Sequence, residues 1–360
     1  MSSNSSSANP AAQDFGSIFA APALAALARH TPIPDSVRSL MQASAIRLLD
    51  SGMIIEDSHA PFAQVAETKV QTALPHFPVL HAVKELVGQI GEQGFGPHAV
   101  NFFGMLGAMM TGMAGTEKQI SDIHAWVDAG MTGCFCMTDP GGPLASQWQS
   151  SISTSAPLQL KVNKIWAMNA SKADFAIVVV RRGNSMILTP SLVPPEVFRT
   201  IARKESGQPF LDNHLMLGNV SFEVEAQPDW LLAKGGPISP KIFLTIARPW
   251  LIQALCAHVD WLAGKGRVKL DAASTERIAF LRSAAVNQAA LGVFDRFSED
   301  QAMALKWIAN ETWLQMVTSG AVPAMNDQRD LLSFTKMEGS SYRCFLEIYE
   351  RNKRMRLAHA

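Results

Sequence analysis

Charge, cysteine and long apolar runs are all scarce in this chain. Only 17% of its 360 residues are charged, and 31 Lys+Arg are balanced by 31 Asp+Glu. With no net positive field, the phosphate neutralisation that drives nucleic-acid binding has no source, so nucleic acid is excluded as an expected partner. Four cysteines, Cys134, Cys136, Cys256 and Cys344, form no CxxC pair and no disulfide-dense spacing, which fits a reducing, cytoplasmic setting. The N-terminal MSSNSSSANPAAQ lacks the basic start and apolar run of a secretory signal, and residues 1–14 read as a disordered tail. The longest apolar stretch, Ala99 to Ala114, is short of the ~20 residues that span a bilayer and is broken by Gly, Thr and Asn, so a buried helix is expected and no membrane partner. Metal-ligand spacing is missing too. His76, His81, His98, His124 and His258 fit no HExxH pattern and read as surface or satisfied core histidines, so no metal is expected. Neither GxSxG, a P-loop nor GxGxxG occurs, which removes the usual support for serine-hydrolase, P-loop and Rossmann chemistry.

The chain has instead a high apolar content, 48%, enough for a large core over two or three domains. Apolar residues recur at helical spacing in SIFAAPALAALARH and SVRSLMQASAIRLLDSG, and residues 15–130 read as an N-terminal α-helical domain. From Met131 the texture changes to short, β-branched or alternating runs (CFCMT, SISTS, LQLKVNKIWAM, FAIVVVR, SMILTP, VSFEVE) separated by turn signals, and residues 131–236 read as a β domain. Helical periodicity returns over 237–360 in PKIFLTIARPWLIQALCAHVDWLAG and three later segments. The order is helices, strands, helices, an α+β arrangement with no solenoid repeat. Cys134 and Cys136 sit two apart on an expected strand, facing the same way, either as a thiol pair or as small buried hydrophobes.

Motifs in sequence order narrow the reading. GTEKQ (115–119) precedes GCFCMTDPGG (133–142), followed by KIWAMNASKADFAIVV (164–179), VSFEVEAQPDWLLAKGG (220–236) and RDLLSFTKMEGSSYR (329–343). Together they resemble the acyl-CoA dehydrogenase family, which carries GTEEQ, FALTEPGAGSD, KxWITNGxxAD, VxFxxVxVPxxxLLGxxG and RDAxxxxIxEGTSEIQR. The nine-residue step from Arg329 to Glu338 matches the family spacing, and the resemblance runs over about Gly115 to Arg351. It implies a middle β-barrel domain and a C-terminal four-helix-type bundle, bound FAD, and an acyl-CoA or acyl carrier protein thioester as substrate. A homodimer or homotetramer is implied as well, with the apolar faces around Trp250, Trp261, Trp307 and Trp313 as further support.

By the same resemblance Glu338 is the base that removes the α-proton while the β-hydrogen leaves as hydride to the flavin. A carboxylate suits this step because a weakly acidic C–H needs a desolvated base and donors that hold the developing enolate. An alternative family position for the base, just before the arginine matched by Arg248, here holds Ala247. Phe135, Met137 and Thr138 match the flavin-binding strand, Trp166 the indole packed on the flavin, and Gly339 and Ser340 the residues after the base. Met168 stands where the family has a flavin-contacting Thr, Gln315 represents the QxxGG loop, Arg248 is implied at the substrate, and the Met-rich helix containing Met105 at the pocket mouth. As a barrel aromatic, Trp166 would instead be core.

The departures lie at the cofactor phosphates. GAGSD becomes Gly141-Gly142-Pro143-Leu144-Ala145, and the basic RxxFG element is replaced by the contracted GKGRVKLDAASTERIA, leaving Lys265, Arg267 and Lys269. Each lost contact to phosphate costs about 1–3 kcal/mol. The expected function is flavin-dependent α,β-desaturation of an acyl thioester. The alternatives are a flavin-free relic serving as an interaction subunit or non-redox isomerase, and a flavin monooxygenase of the same fold, against which Glu338 argues.

Overall fold

The computed structural model describes residues 27–50, 72–73, 79–142, 145–185, 187–201, 203–232, 239–291 and 293–349. The expected N-terminal tail and residues 17–26 of the helix expected after it lie outside them.

The N-terminal part contains α1 (Asp35–Asp50), β1 (Thr72–Ala73), α2 (Val79–Gln93), α3 (Ala99–Ala114) and α4 (Glu117–Asp128). Between α3 and α4 the GTEKQ segment makes a corner. Gly115 ends α3, and Thr116 and Gln119 form a reciprocal capping box that satisfies two otherwise orphaned N–H groups. The Gln119 amide also donates to the carbonyls of Asp229 and Leu231, at 2.6 and 3.1 Å, which docks α4 on the end of the sheet.

The middle part is a curled, seven-stranded half-barrel of β2 (Gly133–Cys136), β3 (Ser151–Ile152), β4 (Leu158–Met168), β5 (Phe175–Arg182), β6 (Leu188–Val193), β7 (Arg203–Phe210) and β8 (Leu215–Ala226). A short helix, α5 (Pro195–Phe198), follows β6. Strand order is β2-β5-β3-β4-β8-β7, with β6 paired to β5 and β2 parallel to β5. Strand β7, RKESGQPF, is absent from the strands read in the sequence. It is an edge strand at one end of the path, and its Lys, Glu and Pro are residues that blunt an edge.

Alternation along β5 divides the protein into two cores. Phe175 and Ile177 join the helices, whereas Ala176, Val178 and Val180 join the half-barrel interior with Cys134 and Cys136. The two thiols are buried there with their sulfurs 3.6 Å apart.

The C-terminal part contains α6 (Ser239–Gly264), α7 (Ala272–Ala289), β9 (Val293–Phe294), α8 (Arg296–Thr318), α9 (Met325–Phe334) and α10 (residues 341–349). Strand β9 pairs with β1. Among the described residues one helix, over Pro240–Gly264, is long and apolar enough to cross a membrane, but 83% of its most apolar window is buried within the protein. It packs on α2, α3, α7 and α8. Trp307 and Trp313 are fully buried, and Trp250 and Trp261 half-buried. One chain therefore absorbs most of the apolar face that the sequence suggested for a partner copy.

Candidate functional site

Helix α3 lies across β2, closest at Gly107, where an added methyl would stand 3.5 Å from Ile177 Cδ1 and 3.8 Å from Phe135 Cβ. One turn earlier the surfaces part, and a methyl on Gly104 would meet nothing within 4 Å. The gap is a small, mostly apolar cavity bounded by Phe103, Gly104 and Leu106 of α3, Phe135 of β2, Met168 and Asn169 at the end of β4, and Leu215. Glu338 closes it.

The Glu338 carboxyl is buried, and its Oε2 has no hydrogen-bond partner. Burial raises its proton affinity above the ordinary carboxylate range, and the nearby Arg248 and Lys306 cations offset part of that rise. The residue sits in a left-handed backbone, φ 54°, followed by Gly339 at φ 114°. For a non-glycine residue this geometry costs about 1–3 kcal/mol and persists only where surroundings over-determine it. They do so here. Arg248, buried on α6 just before Pro249, donates from Nε to the Glu338 carbonyl at 2.8 Å. A methyl on Gly339 would press to 3.1 Å from Cys344 Sγ and 3.2 Å from the Arg248 guanidinium, and its φ of 114° favours glycine.

Another residue in the left-handed region is Trp166, φ 57°, at the shift in β4–β8 register between Lys164 and Ala167. Its indole is 47% exposed, which overturns the reading of a core aromatic. Beneath it the backbone is anchored, because the Ile165 N–H donates to Thr138 O at 3.0 Å. Lys164 and Asp139 form an ion pair at 3.4 Å with both side chains fully buried. Lys164 also donates to Met137 O at 3.0 Å and lies 3.9 Å above the Trp148 ring. Burial pushes the Lys164 ammonium down to about 8 against the pull of Asp139. For Asp139, burial raises the carboxyl, but the N–H groups of Gln149, Ser150 and Gly141 outweigh it and hold the group below the usual range.

Of the residues singled out from sequence, Phe135, Met168 and Glu338 line one cavity, with Arg248 and Gly339 directly behind Glu338. Met137 and Thr138 lie at the end of β2, where their carbonyls hold β4. Ser340 opens α10, its hydroxyl accepting from the Arg343 N–H at 3.3 Å. Met105 is half-buried in the helical core, and its neighbours on α3 line the cavity in its place. Gln315 stands near the end of α8, bonded by Arg277. His258 accepts the Phe95 N–H at 3.1 Å and, buried, is pushed down to about 4, a satisfied core histidine. Sequence reasoning gave no role to Lys164 and Asp139, which lie inside quoted motifs, or to Lys306 and Asn310, which lie in none; all four are buried.

The sequence matches no protein-family model and no curated protein. Solved structures do match. Butyryl-CoA dehydrogenase from Megasphaera elsdenii aligns over 99% of this chain and 100% of that one, at 14% identity and a TM-score of 0.59. The chain has the acyl-CoA dehydrogenase fold. Glutaryl-CoA dehydrogenase from Mycobacterium smegmatis, in complex with FADH2, aligns over 77% of this chain and 95% of that one, with 16% identity and a TM-score of 0.54. Nitroalkane oxidase in complex with spermine aligns over 96% of both chains, with 12% identity and a TM-score of 0.59. The acyl-CoA dehydrogenase fold thus hosts more than one reaction, and the choice among them falls to the site.

A flavin fits this chain unevenly. At the positions that the resemblance matches to the flavin ring, exposed Trp166, with its left-handed backbone, stands two residues before cavity-lining Met168. At the positions that the resemblance matches to the cofactor phosphates, a methyl on Gly141 would fall 1.8 Å from Gln147 O, and one on Gly142 2.3 Å from Gln147 Oε1. The Gly-Gly turn is therefore packed by the protein's own chain and offers no open cradle. Arg267 is committed to the carboxylates of Asp327 and Asp212.

Proposed function

We propose that the chain is a divergent acyl-CoA dehydrogenase family member, a cytoplasmic flavoenzyme that desaturates an acyl thioester between its α and β carbons. The observation that carries the reading is the Glu338 carboxyl, buried with an unpartnered oxygen at an apolar cavity. Such a group is a strong base when ionised and an acid kept neutral when not, which suits proton removal from a weakly acidic carbon. Bound FAD would supply the hydride acceptor. Phe135, Met137, Thr138, Trp166 and Met168 would hold its ring, with Gln315, Gly339 and Ser340 as further contacts.

Glu338 takes the α-proton, and its own N–H, on a backbone fixed by Arg248, is the chain's donor toward the thioester oxygen. The apolar cavity walls face the carboxyl, and the acyl thioester, presented by CoA or an acyl carrier protein, would approach it from that side. The packed Gly141–Gly142 turn leaves the cofactor phosphates no open cradle, which weighs against tight FAD binding. It also supports a second reading, a flavin-free relic of the fold. The resemblance further proposes a homodimer or homotetramer, for which exposed Phe297, Val286 and Met325 supply surface.

Titration with FAD separates these readings. The protein is expected to take up FAD with quenching of tryptophan fluorescence, and Trp166→Ala to bind about tenfold more weakly, since an aromatic contact contributes about 0.5–1.5 kcal/mol beyond its area. No uptake by the wild type would favour the relic, and equal affinity in the variant would remove Trp166 from the site.

A further inference from the structure

Glu338 lies in the turn 335–339, between α9 and α10, and both ends of this turn are tied to one turn of α8. Lys306, fully buried, donates from Nζ to the carbonyl of Phe334, the last residue of α9, at 3.0 Å. It also donates to Oδ1 of Asn310, one helical turn further on. That bond orients the Asn310 amide, whose Nδ2 donates to Gly339 O at 3.0 Å. Arg248 binds the carbonyl between them, that of Glu338. Side chains of two helices thus hold the carbonyls of residues 334, 338 and 339, and the peptides so fixed carry the paired left-handed conformations of Glu338 and Gly339.

A hydrophobic residue at 306 would pack in the same place without the desolvation cost of an ammonium. What it could not do is bridge a main-chain carbonyl and an asparagine, for which a lysine has the donors.

We propose that Lys306, acting through Asn310, is a positioning residue for Glu338: it holds the 335–339 turn so that the carboxyl faces the cavity, and it keeps a cation on the protein side of that carboxyl. The proposal rests on the reading of Glu338 as the base. The charged and titratable groups around the pair are Arg248 from α6 and Cys344 from α10, with Arg343 and Glu347 acting on the thiol. Burial pushes the Lys306 ammonium down to about 7, with Cys344 and Glu338 drawing it up and Arg248 further down. Burial pushes the Glu338 carboxyl the other way, so the two titrations approach one another.

The test is a carbon-13 NMR titration of the Glu338 side-chain carboxyl in the full chain, assigned by its loss in Glu338→Gln. Lys306→Met removes the cation but leaves Arg248 on the Glu338 carbonyl and Asn310 on the Gly339 carbonyl, the two nearest the carboxyl, and is expected to raise the proton affinity of the carboxyl about tenfold. Asn310→Ala keeps the cation but frees the Gly339 carbonyl, and is expected to bring the midpoint down toward the ordinary range as the turn loosens and admits water. A purely structural role lowers thermal stability in both variants without these opposed shifts. A midpoint unmoved in every variant that folds, or moved opposite to these directions, overturns the proposal. The titration needs neither flavin nor thioester, so undiminished thioester turnover by Glu338→Gln would remove the base reading while leaving this result to stand or fall by itself.

Discussion

Glu338→Gln is expected to lower thioester desaturation by about 10²–10⁴-fold while leaving fold and flavin content intact, because a carboxamide fills the same space but cannot accept the proton. The same substitution has a stability signature. Burial raises the carboxyl in the folded chain above its unfolded value, so the folded state binds the proton more tightly. Its stabilising contribution is present in full below the unfolded value and is lost as pH rises through the folded one. Glu338→Gln lacks this loss. Melting curves of the two proteins should therefore diverge in favour of the variant as pH climbs from acid toward neutral. Parallel curves would mean that the carboxyl is not desolvated, and turnover near the wild-type rate would mean that the proton leaves by another group.

The second large effect is structural. Asp139→Ala removes the partner of a fully buried lysine and, with it, the acceptor for the N–H groups of Gly141, Gln149 and Ser150. Leaving one charge of a buried pair alone costs about 3–5 kcal/mol, and urea unfolding should register a loss of that size. A loss under about 1 kcal/mol would show that solvent reaches Lys164. The pH dependence has a defined sign. The folded Asp139 carboxyl lies below its unfolded value, so its contribution is present above the unfolded value and is lost as pH falls through the folded one. The variant should lack that acid-limb loss. Because this pair anchors the end of β2 to β4, flavin affinity should fall along with stability.

The order of helices, strands and helices was legible because periodicity reports which face of an element is buried, and the long runs of α6, α7 and α8 repeat apolar residues over many turns. Strand β7 was not, since an edge strand needs polar residues and has no alternation to display. The GTEKQ corner was available from first principles, as Thr three residues before Gln at a helix start is a capping-box pattern.

Glu338 was legible only through resemblance, because one glutamate near a helix end is ordinarily solvated. What buries it comes from α6 and α8, far away in the chain. Lys164 and Lys306 are hidden for the same reason: residue type argues for exposure, and only the fold supplies the carbonyls and carboxylate that let an ammonium be buried. The exposed indole of Trp166 reverses that logic. A β-strand aromatic suggests core, and a register shift turns it outward.

The most direct test is the visible spectrum of the FAD-loaded protein under anaerobic conditions on addition of a saturated acyl-CoA, compared with the same experiment on Glu338→Gln. The wild-type flavin band should bleach and that of the variant should persist. Equal bleaching in both proteins, or a wild type that holds FAD and is untouched by any acyl thioester, would contradict the account.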